Sequence, residues 1–204
     1  MKKICIIDYG LGNIKSLYNA LKYIGYKPEF FSNSNHKTFD AIFIPGVGSF
    51  SKASELLLSP KFNKIIKDSV HKSLIFGICL GMQILLSKGE ENGKSKGLNF
   101  FDGEVKFLKN NFKEKLILPM VGVQEVEFKT KLNFLKKYNK KQFYFVHSYA
   151  SFLRNQSEVI GYTNSQKISY TAVINKERVF GTQFHPEKSG EIGLDFLKTV
   201  IESI

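Results

Sequence analysis

Ser73-Leu-Ile-Phe-Gly-Ile-Cys79-Leu-Gly-Met-Gln-Ile-Leu-Leu86 is the stretch from which the rest of the chain can be read. Leu74 to Ile78 form a short apolar run with β-branched and aromatic members, the mark of a buried strand. Met82, Ile84, Leu85 and Leu86 then suit a helix. Gly77 and Gly81 flank Cys79 at the two positions where a sharp strand-to-helix turn leaves no room for side chains. Such a turn lifts the sulfur out of the sheet to a helix start, where unpaired N–H groups and the helix dipole favour a thiolate. The spacing is that of a nucleophile elbow with cysteine in place of serine. An inert buried cysteine shows the same pattern, so a base, an orienting group and oxyanion donors must come from elsewhere.

Length and composition set the frame. At 204 residues, 43% hydrophobic and 24% charged, the chain suits one soluble domain spanning 1–204 with a full core. No apolar run approaches the ~20 residues that span a bilayer, and the stretch before Asp8 is too short for a signal peptide. Two cysteines, Cys5 and Cys79, fit a reducing, cytoplasmic setting, and neither has metal-ligand spacing. No metal, cofactor or membrane partner is expected. A net charge of +12 invites a nucleic-acid reading. The basic residues are nearly all Lys, however, with Arg154 and Arg178 the two arginines, and they are dispersed along the chain. Arginine is the preferred reader of phosphates and guanine edges, so no nucleic acid is expected either.

The N-terminal half alternates strand and helix. Lys3 to Asp8 reads as a central parallel strand with Cys5 in the core, followed by the Gly-rich turn Tyr9 to Asn13. Leu17, Ala20, Leu21 and Ile24 have helical spacing, with Gly25 as the stop. Counted from Gly10, Lys15 stands where a dinucleotide fingerprint needs its third Gly. Lys27–Phe31 and Asp40–Pro45 read as strands, and Ser51–Leu58 and Phe62–Val70 as helices. Pro45-Gly46-Val47-Gly48 closes a strand with a turn able to aim N–H groups at an anion. The alternation predicts an α/β fold, with a mostly parallel central sheet covered by helices on both faces. Ligands of such sheets bind at the carboxyl ends of the strands, where Asp8, Gly46–Gly48 and Cys79 all fall.

After Lys88 the pattern changes. Gly103–Leu108, Lys115–Leu118 and Val121–Phe128 resemble short strands, with weaker helical character at Leu132–Tyr138. Gln142–Val146, Glu158–Tyr162, Ser169–Asn175 and Arg178–Gln183 add further strands, which predicts an antiparallel excursion in the C-terminal half. An amphipathic helix containing Ile192, Leu194, Phe196, Leu197, Val200 and Ile201 ends the chain.

A cysteine nucleophile needs a histidine to hold and return its proton, and the histidine needs a partner that fixes its tautomer. His36 and His71 lie in polar or Lys-rich surroundings and read as surface residues. His147 and His185 each end a predicted strand. Of these, His185 has a carboxylate close by, in His185-Pro186-Glu187, with Pro186 stiffening the link. Cys79, His185 and Glu187 thus make a candidate acyl-transfer triad.

Gly77-Ile-Cys79-Leu-Gly81-Met-Gln83 together with Phe184-His185-Pro-Glu187 resembles the class I, or triad-type, glutamine amidotransferases. Asp8-Tyr-Gly-Leu-Gly-Asn13, Pro45-Gly-Val-Gly-Ser-Phe50, Glu90-Glu91, Tyr144-Phe-Val-His147-Ser-Tyr-Ala150 and Gln183 to Gly190 are similar, more narrowly, to the HisH-type glutaminases of imidazole glycerol phosphate synthase. The resemblance spans the chain and implies a flavodoxin-like fold. It implies hydrolysis of L-glutamine, with oxyanion donors from Gly46, Val47, Gly48 and Leu80. It also implies glutamine held by Gln83, Glu91 (Glu90 being able to exchange roles with it), His147, Ser148 and Tyr149. With seventeen residues after Glu187 (188–204), ammonia is expected to pass to another chain, by resemblance a (β/α)₈ cyclase of histidine biosynthesis in a heterodimer. Asn13, Val123, Gln124 and Tyr144 would lie at that interface. One departure stands out: Val121-Gly-Val-Gln124 replaces the family's Met-Gly-Trp-Asn, and the chain has no Trp. A paralogue feeding a different synthase, for example one amidating a sugar, therefore stays open. So do a cysteine peptidase or γ-glutamyl hydrolase on the same fold, and a basic binding module without catalysis.

Overall fold

The computed structural model describes residues 2–31 and 38–203. In chain order they form β1 (Ile4–Ile6), α1 (Ile14–Tyr23), β2 (Glu29–Phe30), β3 (Ala41–Gly46), α2 (Phe50–Leu57) and α3 (Pro60–Ser69). Then come β4 (Leu74–Cys79), α4 (Leu80–Ile84), β5 (Leu86–Gly89), β6 (Ser95–Lys96), β7 (Phe101–Phe107) and β8 (Met120–Phe128). The last are β9 (Lys141–His147), β10 (Tyr149–Leu153), β11 (Val159–Ser165), β12 (Ile168–Lys176), β13 (Val179–Thr182) and α5 (Gly190–Glu202).

The central nine-stranded sheet runs β2-β1-β3-β4-β13-β12-β11-β8-β9. Its first five strands are mutually parallel, and the remaining pairings are antiparallel. Alternation along the parallel strands explains why they are apolar throughout. Ile4, Ile6, Ala41, Phe43, Leu74 and Phe76 face one core, into which α1 sends Leu17 and Leu21 and α5 sends Phe196, Leu197, Val200 and Ile201. Cys5, Ile42, Ile44 and Ile75 face the other, filled by Phe50, Ala53 and Leu57 of α2 and Phe62 and Ile66 of α3. Burying one such side chain contributes about 1.5–3 kcal/mol, and slipping any strand by one residue would exchange its two faces.

A second sheet, β10-β7-β5-β6, packs Leu86, Phe101, Val105 and Leu153 onto that second core. Two expectations need correction here. Leu86 does not extend the helix after Cys79: α4 ends at Ile84 and β5 begins two residues later. Gly97 N–H and Asn99 N–H donate to the carbonyls of Ser87 and Leu86, and β5 pairs with β7; cross-strand bonding overrides the helical spacing. Lys115–Leu118 is not a strand; Ile117 is 78% exposed and its backbone is bonded by the Gln166 side chain instead of a neighbouring strand. The antiparallel excursion expected in the C-terminal half is strands β12, β11, β8 and β9, which extend the central sheet past β13. The weakly helical Leu132–Tyr138 contains a 3₁₀ segment, Asn133–Tyr138.

Candidate active site

Register brings the site together. Gly46 lies opposite Cys79 across β3 and β4, and Ile78 lies opposite Thr182 across β4 and β13. The loop after β3 and the segment after β13 therefore leave the sheet on either side of the cysteine. Cys79 itself has φ 54° and ψ −109°, a backbone that L-residues rarely adopt and that costs on the order of 1–3 kcal/mol. A side chain at Gly81 would overlap the Ile44 carbonyl, and one at Gly77 would overlap the Gly81 carbonyl. Both glycines are thus required by close backbone approach, and the elbow they permit holds the strained cysteine. The helix it opens is only Leu80–Ile84, so the nearby N–H groups, not a long dipole, are what the turn offers the sulfur.

His185 is 2% exposed and lies just past β13. Its N–H donates to the Tyr144 carbonyl of β9 (2.8 Å), and its own carbonyl accepts from Ser189 Oγ (2.7 Å). Phe184 beside it stacks on Phe143 at 4.1 Å, fixing the segment from the core side. His185 Nδ1 is 2.8 Å from Glu187 Oε1. A carboxylate only accepts, so Nδ1 carries the proton. Nε2 is buried without a hydrogen-bond partner among the described residues. Burial pulls the imidazolium down, but the Cys79 sulfur and then the Glu187 carboxylate outweigh it and raise the ring's pKa to about 10.

In front of the cysteine is a cavity of about 350 Å³, lined by Val47, Gly48, Cys79, Leu80, Gln83, Glu91, Phe107 and residues 146–149. Glu91 is half-buried; burial raises its carboxyl, partly offset by the Phe50 N–H donating to Oε2 at 2.8 Å. Glu90 accepts from the Phe107 N–H at 2.8 Å. Gln83 Nε2 donates to the Tyr149 carbonyl (2.9 Å). That same carbonyl lies 2.9 Å from His147 Nδ1, while His147 Nε2 is 3.3 Å from the Tyr170 hydroxyl. Both His147 nitrogens are thus engaged away from the sulfur. Tyr149 packs its ring on Phe107 at 5.1 Å, at the wall that also holds Ser148.

The residues expected at an interface have separate settings. Asn13 caps α1, accepting from the Ser16 N–H, and Val123 is 60% exposed. Gln124 turns inward to accept from the Tyr170 hydroxyl at 2.6 Å, and Tyr144 is half-buried with its ring 6.5 Å from that of His185. His71 is exposed, and His36 lies outside the described residues. Two side chains at the sulfur escaped the sequence reading. Gln183, fully buried, places Nε2 3.7 Å from Cys79 Sγ. Tyr9 is 4% exposed, and its buried hydroxyl has no partner among the described residues. Burial, then the Cys79 charge, raise its pKa. A polar amide just past an apolar strand, two residues before His185, was the available signal for Gln183.

The comparisons with known proteins agree with one another. The family model for glutamine amidotransferase class-I matches residues 5–200. A curated imidazole glycerol phosphate synthase subunit HisH from Caldanaerobacter subterraneus is 42% identical, covering 98% of each chain. HisH subunits from Methanopyrus kandleri and Bacillus subtilis are 36% and 38% identical, covering 98% and 95% of this chain and 97% and 93% of their own. Among solved structures, PurLQS from Thermotoga maritima superposes with a TM-score of 0.75 at 19% identity, covering 100% of this chain and 99% of that one. A glutamine amidotransferase from Thermotoga maritima gives 0.60 at 15%, covering 99% and 81%. At those identities the structures speak for the fold alone.

Proposed function

The chain belongs to the class-I glutamine amidotransferases and, within them, to the HisH family of imidazole glycerol phosphate synthase subunits, and on that premise we propose the reaction its residues perform. Glutamine enters the cavity and its side-chain carboxamide carbon meets the Cys79 thiolate. The carbonyl electrons move onto oxygen, which N–H groups from Leu80 and the Gly46–Gly48 loop stabilise by about 3 kcal/mol per donor. His185, protonated at Nε2, gives that proton to the departing nitrogen, and ammonia leaves a γ-glutamyl thioester. Water then attacks the thioester while His185 takes its proton, the thiolate departs, and glutamate is released. Glu187 fixes the ring and balances its charge throughout. Glu91 and Tyr149 hold the substrate's charged end, and Gln83 and the backbone of 147–149 shape the wall beside it. Ammonia then passes to a (β/α)₈ cyclase partner, which makes imidazole glycerol phosphate.

One observation carries the reading: a buried histidine has Nδ1 on a carboxylate at 2.8 Å and an unpaired Nε2, and the ring lies within electrostatic reach of a cysteine on a strained elbow. The test is co-purification with a candidate cyclase and assay of imidazole glycerol phosphate with glutamine or ammonium as nitrogen donor. The expected result is glutamine-dependent synthesis that Cys79→Ala abolishes and ammonium restores. Retention of glutamine hydrolysis in Cys79→Ala overturns the chemistry. Glutaminase activity with no cyclase stimulation overturns the acceptor and favours a different synthase, the reading that the exposed Val121 and Val123 at the departing motif would then support.

A further inference from the structure

We propose that Gln183 holds the Cys79 sulfur as an anion and aims it, its carboxamide N–H turned onto Sγ by the Gln83 amide behind it. The inference rests on Cys79 being the nucleophile and adds a residue to its machinery. The Tyr149 carbonyl can only accept, so the Gln83 nitrogen must be the atom 2.9 Å from it. The same nitrogen lies 3.1 Å from Gln183, which must therefore present its oxygen there. That leaves the Gln183 nitrogen as the atom 3.7 Å from Cys79 Sγ. The orientation of both amides follows from the network rather than from a choice between oxygen and nitrogen.

The donor is also held in place from the main chain. Gln183 N–H donates to the Ala172 carbonyl of β12 at 2.8 Å, and the side chain is fully buried. A rigid N–H aimed at sulfur interacts far more strongly with a thiolate than with a thiol. The neutral thiol has a different partner, the Val146 carbonyl at 3.8 Å. Gln183 and Val146 thus favour opposite protonation states of one sulfur. The other titratable groups that act on it are His185, from the segment after β13, and Tyr9, from the turn after β1. Glu187 and His147 act behind His185. Gln183 is the fixed donor among them that carries no charge and does not titrate, so its contribution is constant across the pH range.

Alkylation of the full chain by iodoacetamide, followed from pH 5 to 10 with Cys79→Ala as the blank for Cys5, reads the thiolate directly. In Gln183→Met, similar in length but unable to donate, the rate at pH 7 falls about tenfold and the half-maximal pH rises by about one unit. Glutamine kcat falls with it while KM stays within about twofold. A folded Gln183→Met with an unmoved alkylation profile overturns the proposal, whatever its turnover, because a purely structural role leaves that profile in place. Should the variant not fold, the unmutated chain still decides: by NMR, the Gln183 carboxamide protons must shift with the midpoint of the alkylation curve, and their failure to do so overturns the proposal. Glutamine hydrolysis surviving in Cys79→Ala would remove the nucleophile assignment itself, a result separable from either readout on Gln183.

Discussion

His147 and His185 end neighbouring segments of one wall, each 7% exposed or less, yet their proton affinities move in opposite directions. Around His147, burial dominates and lowers the ring's pKa to about 4, with the Tyr149 carbonyl only partly compensating and the His185 charge lowering it further. Around His185, burial acts in the same direction, but the Cys79 sulfur and the Glu187 carboxylate reverse it, to about 10. Desolvation is common to both bays; an anion in contact is not. His147 is bonded to a carbonyl and a phenol, both neutral, and so remains a fixed neutral part of the wall. His185 is set up to carry a proton. The two also act on each other, since a charged His185 disfavours a charge on His147.

The largest effect should come from making the His185 bay resemble the other. Glu187→Gln keeps the shape and removes the charge, so kcat for glutamine hydrolysis is expected to fall on the order of 10²–10⁴-fold. The ring's raised pKa means that its stabilising pairing is fully present below pH 6.5 and is lost as pH climbs through about 10. In Glu187→Gln that loss begins at lower pH, seen both in the alkaline limb of the rate profile and in urea midpoints between pH 7 and 10.5. An alkaline limb that stays put would mean that the carboxylate does not set the ring's charge.

The same contrast separates what the sequence reveals from what it hides. Cys79, His185 and Glu187 are legible because their constraints are local: two glycines two residues either side of the cysteine, and a carboxylate two residues from the histidine. The parallel half of the sheet is legible for a related reason, since strands buried on both faces read as continuous apolar runs. The partners of His147 and Cys79 are not local. Tyr170, Gln183 and the Val146 carbonyl reach these side chains only because the antiparallel strands extend the sheet and bring β9 beside the segment after β13. β5 was hidden for a similar reason: Leu86 continues a helical spacing, and only its pairing with a strand fifteen residues on makes it β.

A smaller effect should appear at His147. Its depressed pKa means the native ring stays neutral while the unfolded one titrates near 6.5, so stability falls as pH drops from 7 toward about 4. His147→Gln keeps a donor for the Tyr149 carbonyl while removing the titration. Urea midpoints at pH 7 and pH 4.5 should therefore lie closer together than in the unmutated chain, with a cost of about 1–2 kcal/mol at pH 7 from lost packing and hydrogen bonding. An identical acid slope in both chains would show that the buried ring is already able to charge.

The smallest effect belongs to His71, exposed just after α3, where water supplies what the two buried rings must obtain from protein. His71→Ala is expected to change stability by no more than about 0.5 kcal/mol, and to leave glutamine turnover unchanged. The measurement is the same pair of urea midpoints used for His147. If His71→Ala altered the acid slope as much as His147→Gln, the slope would report the number of histidines rather than their surroundings. The division between the two bays would then lose its physical basis.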